Sequence, residues 1–271
     1  VQFAFTILST LLMVELNNSN ALIRIYSRMV SCSFIMMVCM STFLLQSSKG
    51  MMLSICVVMS FVMAFLSYQD KYSMGRIFYS FMSIGIGSMI DVSVLFFVPV
   101  MWLAMFFHLQ SMTLRTFISS LFGLICPYWF VAVYLIYTND ITLAVEHFSQ
   151  LAVFGKVANF SQVPVSALVS ICYITILSVV GIIHYLRNRV FDKTRTRMFY
   201  NTFILFDIFT IAFIILQPQH YATMLIILIV TTSPLIAHFI ALTHTWITNL
   251  AFKVIVATAL SLTIINILQL I

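Results

Sequence analysis

Residues 77–107 read IFYSFMSIGIGSMIDVSVLFFVPVMWLAMFF, an apolar run of thirty-one positions carrying one charge, Asp91. As a single helix it would be roughly 46 Å long at 1.5 Å per residue, well beyond the roughly 30 Å hydrocarbon core of a bilayer. Broken at Gly85–Asp91, it becomes two short helices of roughly 21–25 Å that double back. The choice reverses the sidedness of everything upstream, so it decides the fold.

A membrane is the relevant solvent because 62% of the 271 residues are hydrophobic and only 7% are charged. A soluble chain carries about a quarter charged residues. Apolar segments fall at 1–15, 29–47, 51–68, 77–90, 92–108, 115–137, 165–186, 199–216, 221–242 and 248–271. They are continuous rather than alternating, which argues against a membrane β-barrel and leaves helices to satisfy the backbone in lipid. Basic residues cluster between the runs. That pattern anchors a chain at a membrane surface and speaks against a face for nucleic acid. The five cysteines sit inside apolar runs, form no C-x-x-C pair and read as small buried hydrophobes.

The thirteen basic residues choose between the two readings of 77–107. With RNRVFDKTRTR (187–197) in the cytoplasm, the broken reading gathers eleven Lys and Arg on that side and leaves Lys49 and Lys156 outside. An unbroken helix degrades the split to eight against five. The sequence therefore predicts an all-α, polytopic bundle of about ten membrane segments in a single domain, 1–271, with a short helical hairpin at 77–108. Val1 opens inside an apolar run, so a natural segment before it is expected. The connection 138–164 falls on the outer face. Its Ile141, Ala144, Val145, Phe148, Leu151 and Ala152 recur at helical spacing. They predict an amphipathic helix started by Asn139 or Asp140 and ended by Gly155, lying on the outer leaflet or lidding the bundle. The stretch 187–198 is a basic cytoplasmic loop.

A charge in hydrocarbon costs at least about 2.5–3.5 kcal/mol on insertion scales, so each one needs an account. Asp207 and Lys253 sit at similar depth and are candidates for an intramembrane ion pair. In the alternative, Asp207 binds a neighbouring hydroxyl and Lys253 snorkels to the interface. Asp91 is either a plain turn residue or a catalytic carboxylate at the mouth of a cavity, with Asp140, Glu146 and His147 as available partners. Arg24 and Arg28, four apart on one helix face, are candidate contacts for anionic lipid headgroups, as are Arg187, Arg189, Lys193, Arg195 and Arg197. The six histidines are too scattered for a metal cluster: His238 and His244 are six apart, His184 is isolated, and His147 and His220 fall on the opposite face. No nucleotide loop, nucleophile elbow or zinc-helix motif occurs in the sequence, and no cofactor is predicted.

Three stretches carry a likeness: YSMGRIFYSFMSIGIGSMIDVSVLFFVPV (72–100), LRTFISSLFGLICPYWFVAVYLI (114–136) and HFIALTHTWITNLAFKVIV (238–256). With their Gly85/Gly87 pair, Arg115, Gly123, Pro127-Tyr128 and Asn249, they resemble a family of polytopic inner-membrane proteins of Bacteroidota without an assigned activity. The resemblance runs over most of the chain and implies a multi-pass protein of the bacterial inner membrane, with 138–164 in the periplasm. Family members are apolar or carry proline where this chain has Asp91, so the resemblance implies no catalytic role there. Expected partners are the bilayer, its anionic headgroups and other envelope proteins. Lacking a catalytic constellation, the chain is expected to serve as a cell-envelope scaffold or assembly component. One alternative is a membrane glycosyltransferase or polymerase acting on polyprenyl-linked sugars, suggested by short helices, an outer amphipathic helix and Asp91. The other is a transporter or flippase carried by Asp207 and Lys253.

Overall fold

The computed structural model describes residues 2–153, 155, 157–161, 163–243 and 245–268, so Lys156 and His244 lie outside the described residues. Among the described residues the regular structure is helical. It comprises α1 (Gln2–Asn20), α2 (Met29–Met40), α3 (Thr42–Gln46), α4 (Ser48–Phe65), α5 (Met74–Ile90) and α6 (Val98–Phe107). There follow α7 (Leu114–Thr138), α8 (Ile141–Ser149), α9 (Val165–Asn188), α10 (Thr194–Leu216), α11 (Tyr221–Leu242) and α12 (Trp246–Leu268). Six helical stretches among the described residues are long and apolar enough to cross a membrane: Ser48–Phe65, Leu114–Thr138, Val165–Phe191, Thr194–Leu216, Pro218–Leu242 and Trp246–Leu268. This is the build of a multi-pass helical membrane protein. The remaining apolar segments are helical but shorter or interrupted. The run 29–47 breaks at Ser41 into α2 and α3, and α1 finishes in the polar stretch 15–20.

The decisive stretch is broken. α5 stops at Ile90, Asp91 is extended (φ −145°, ψ 113°), and a 3-10 turn over Val92–Phe97 leads into α6. Asp91 makes the break by accepting the Ser93 N–H at 2.9 Å, which caps the new turn instead of continuing the old helix. Phe81 on α5 and Trp102 on α6 stack across the hairpin with centroids 6.3 Å apart. Near its open end the Gln69 N–H donates to the Leu109 carbonyl at 2.8 Å. The chain has doubled back.

Gly85 and Gly87 remain inside α5, so the turn sits at the Asp91 limit of the expected interval. The glycines serve packing. A Cβ at Gly85 would stand 2.9 Å from the Leu124 carbonyl oxygen on α7, and one at Gly123 would stand 2.5 Å from that of Phe78 on α5. The two helices therefore meet backbone to backbone, as helices do where lipid supplies no hydrophobic drive for association. Two polar bonds fasten the same region: Ser88 Oγ to Tyr128 Oη at 2.7 Å, and Trp102 Nε1 to Ser120 Oγ at 3.0 Å.

α11 is the central helix, buried along almost its whole length and packed by α2, α4, α9 and α10. A cluster of Phe61 and Phe65 on α4 with Phe199, Phe203 and Phe206 on α10 fills the space beside it; the Phe65 and Phe199 rings stack at 4.2 Å. α7 and α12 lie at the periphery with most of their apolar side chains exposed. In a bilayer that surface is matched to lipid.

The helix expected in 138–164 is α8, but it ends at Ser149, short of Leu151 and Gly155. Asn139, in the left-handed region at φ 60°, closes α7 rather than opening α8. Gly155 donates its N–H to Gln217 Oε1 at 2.9 Å, so the loop is tied to the bundle and does not continue the helix. α8 rests on α5 and α7. His147 Nε2 lies 2.9 Å from the Ser88 carbonyl, and the Phe148 and Tyr128 rings meet at 5.2 Å, while Leu143 and Val145 stay exposed.

Candidate functional site

Three of the seven acidic residues meet α11, each at a different level. Thr223, Thr231 with Thr232, and His238 are the α11 groups that receive them. From Thr223 to His238 the helix rises roughly 22 Å, most of a bilayer core.

At the first level the Asp91 carboxylate accepts from the Ser93 N–H, from Ser93 Oγ at 2.5 Å and from the Thr223 hydroxyl. Burial pulls this carboxyl upward, but the Ser93 and Thr223 hydrogen bonds and the neighbouring His220 outweigh it and hold the group below its ordinary value. Asp91 is half-buried and lines an open cavity of about 550 Å³ together with Lys49, Gln150, His220 and Thr223. Asp91 is the turn residue of the hairpin, and it also lines a cavity. Its expected partners differ. Asp140 and Glu146 do not line the cavity, and His147 is engaged with Ser88. Lys49, His220 and Gln150 take their place, brought there by the starts of α4 and α11 and the end of α8.

The second level is sealed. Asp207 is fully buried, and its carboxylate accepts from Ser178 on α9 and from Thr231 and Thr232 on α11, the last at 3.1 Å. The pair with Lys253 does not form. Lys253 is exposed on α12, which packs on α2 and α3, whereas three hydroxyls already surround Asp207. The ion pairs among the described residues are Arg24–Asp192, Arg76–Asp70 and His238–Asp192.

Sequence reading missed the third level. Asp192, the acid inside the basic loop, is buried against Arg24 and His238. Arg24 Nε lies 2.9 Å from Oδ1, an ion contact without the alignment of a hydrogen bond. His238 Nε2 lies 3.2 Å from Oδ2, and its Nδ1 is 3.4 Å from Nδ1 of His184. His184 is therefore not isolated. The rings of Tyr185 and Tyr200 stack at 4.8 Å and both present edges to His238. Two signals in the chain pointed here: one acid among five basic residues, and one histidine within the apolar text of α11.

The same cluster corrects the expected arginine pair. Residues 21–28 are not helical, so Arg24 and Arg28 share no helix face, and Arg24 turns to Asp192 while its guanidinium covers the Phe191 ring at 5.6 Å. Arg28, Arg187, Arg189, Lys193 and Arg195 are exposed. Arg195 also reaches Asn20 Oδ1 at 3.3 Å, and Arg197 is half-buried with Nη2 3.1 Å from Thr194 Oγ1. Among the described residues no group of three His, Cys, Asp or Glu side chains is placed to hold a metal ion. No protein-family model, curated protein or solved structure matches the chain.

Proposed function

We propose that this chain is a multi-pass protein of the bacterial inner membrane, allied to the Bacteroidota family it resembles, and that it serves the cell envelope as a scaffold or assembly component. The six long helices, α1, the α2–α3 pair and the α5–α6 hairpin make ten crossings, with the basic loop 187–197 in the cytoplasm and α8 on the periplasmic side. One observation supports the scaffold role above the others: each of the three carboxylates that meet α11 is engaged in holding elements together. Asp91 ties the hairpin to α11, Asp207 joins α9, α10 and α11, and Asp192 fastens the basic loop to the α1–α2 linker. The exposed apolar faces of α7 and α12 are the surfaces on which a partner helix would pack. A photo-crosslinking residue at Trp129, exposed on α7, should trap another envelope protein in intact cells. Trapping of lipid alone, with the purified chain migrating by itself, would refute the scaffold.

A second reading, an enzyme acting on polyprenyl-linked sugars, is favoured by the cleft in which Asp91 and His220 converge. Asp91→Asn should then abolish sugar transfer from a polyprenyl-linked donor without changing the amount of protein inserted. Undiminished transfer removes that reading.

A further inference from the structure

Two glutamines of the corner between α10 and α11 fasten the chain that follows α8. Gly155 donates its N–H to Gln217 Oε1 at 2.9 Å, and Gln217 Nε2 returns a bond to the Gly155 carbonyl at 3.5 Å. Gln219 Nε2 donates to the Val153 carbonyl at 2.6 Å. The seat is tight, for a Cβ on Gly155 would stand 2.9 Å from Gln219 Oε1. Residues 150–153 are thereby strapped to the 3-10 turn Pro218–His220, and Gln150, at their start, lines the Asp91 cleft.

The Gln219 nitrogen that holds Val153 also lies 3.0 Å from Nε2 of His220. An amide NH2 offers two hydrogens and accepts none, so one goes to Val153 and the other to His220. Nε2 is then the bare nitrogen of a neutral imidazole whose hydrogen sits on Nδ1. The opposite amide orientation would set Gln219 Oε1 against the Val153 carbonyl oxygen, two acceptors with no hydrogen between them. A second proton can enter the ring only at Nε2, where Gln219 already donates. An imidazolium there would face the amide NH2 with an N–H of its own. Gln219 can accept that N–H only by turning its oxygen toward the ring, which surrenders Val153. The proton and the strap exclude each other.

We infer that His220 is a proton-operated latch on the Asp91 cleft: neutral, it keeps residues 150–153 docked through Gln219, and protonated, it releases them and widens the cleft. The Gly155 fastening to Gln217 involves no titrating group and stays in place. The charged groups that share the space of His220 are Asp91, from the hairpin turn, and Lys49, from the start of α4. The 3-10 turn after Asp91 and α10 present only the Phe96 and Phe213 rings to it, and the strap brings the neutral Gln150. The latch stands whether the chain is a scaffold or an enzyme.

The test places trifluoromethylphenylalanine at the exposed Ala152 of the full chain in detergent. Its fluorine NMR signal is followed from about pH 8 to about pH 5, a range that brackets the ordinary imidazole value of about 6.5. A docked signal at the alkaline end should give way to the narrow signal of a free strap. For one proton the ratio of free to docked strap rises by at most about tenfold per pH unit. His220→Gln, whose Oε1 can still accept from Gln219 but does not titrate, should stay docked throughout, whereas Gln219→Ala should be free at every pH. A parent strap that stays docked to the acid end overturns the latch, as does release in His220→Gln at the same pH as in the parent, or a docked strap in Gln219→Ala. Should His220→Gln fail to fold, His220→Phe takes its place under the same two outcomes.

Discussion

At one end of α11, Thr223 meets Asp91 beside an open cleft; at the other, His238 meets Asp192 among packed rings. Both acids sit just beyond a helix end and both touch the same central helix, yet their neighbours are of different kinds. Asp91 is held by hydroxyl and amide donors and shares an accessible cleft with Lys49 and His220. Asp192 is held by a guanidinium and an imidazole that reach it from distant parts of the chain, and the space around it is closed by Tyr185 and Tyr200. A hydrogen-bonded carboxylate can stand at a surface for little free energy, whereas a buried ion contact is stable only with its partners in place. The difference makes one end an accessible cleft and the other a lock.

The sharpest way to break this contrast is Asp192→Ala. It leaves His238 and Arg24 facing an empty acceptor and releases the basic loop, and should cost about 3 kcal/mol or more, measured by thermal unfolding in detergent. Asp91→Ala should cost less, about 1–2 kcal/mol, because it removes a turn cap and one interhelix hydroxyl bond beside solvent. If the two substitutions destabilise equally, the distinction between lock and open cleft fails. Asp207→Asn tests the middle level. The amide keeps the shape and an acceptor oxygen for Ser178, Thr231 or Thr232, so the chain should insert and lose no more than about 1 kcal/mol; a larger loss in the same unfolding assay would mean that the negative charge itself is needed there.

Lys253→Gln should fall within about 0.5 kcal/mol of the parent, since the side chain is exposed and unpaired with Asp207. Acid supplies the gentlest probe. The Asp91 carboxyl titrates below its ordinary value of 3.8, so its contribution to stability is complete above that value and fades as pH falls through the folded value. Unfolding followed from pH 6 down to pH 2 should show a small acid loss in the parent that is absent in Asp91→Ala.

Hydropathy carried far along this chain because it is a local property. Among the described residues each apolar run is helical and six helical stretches are long enough to cross a membrane, and the reversal at Asp91 was legible because a stretch of thirty-one residues outruns a bilayer and basic residues sort better when it folds back. The interruption of 29–47 at Ser41 was not legible, since nothing in that run departs from apolar text strongly enough to mark a break. At Asp91 the sequence located the carboxylate but supplied the wrong companions. Asp140 and Glu146 are near in the connection, while Lys49 and His220 arrive from the starts of two other helices. Spacing rules see i, i+3 and i+4 neighbours on one helix, and Arg24, Asp192 and His238 share none.

What the amino-acid order settled by itself is the solvent, the helical class and the point of reversal, because each follows from how many apolar residues stand in a row and where charges interrupt them. Tertiary packing decided which acid faces a cleft and which is sealed. A buried carboxylate takes whatever donors the adjoining helices bring within 3 Å or so, and that is fixed by which helices touch: hydroxyls of α9 and α11 for Asp207, and a guanidinium and an imidazole for Asp192.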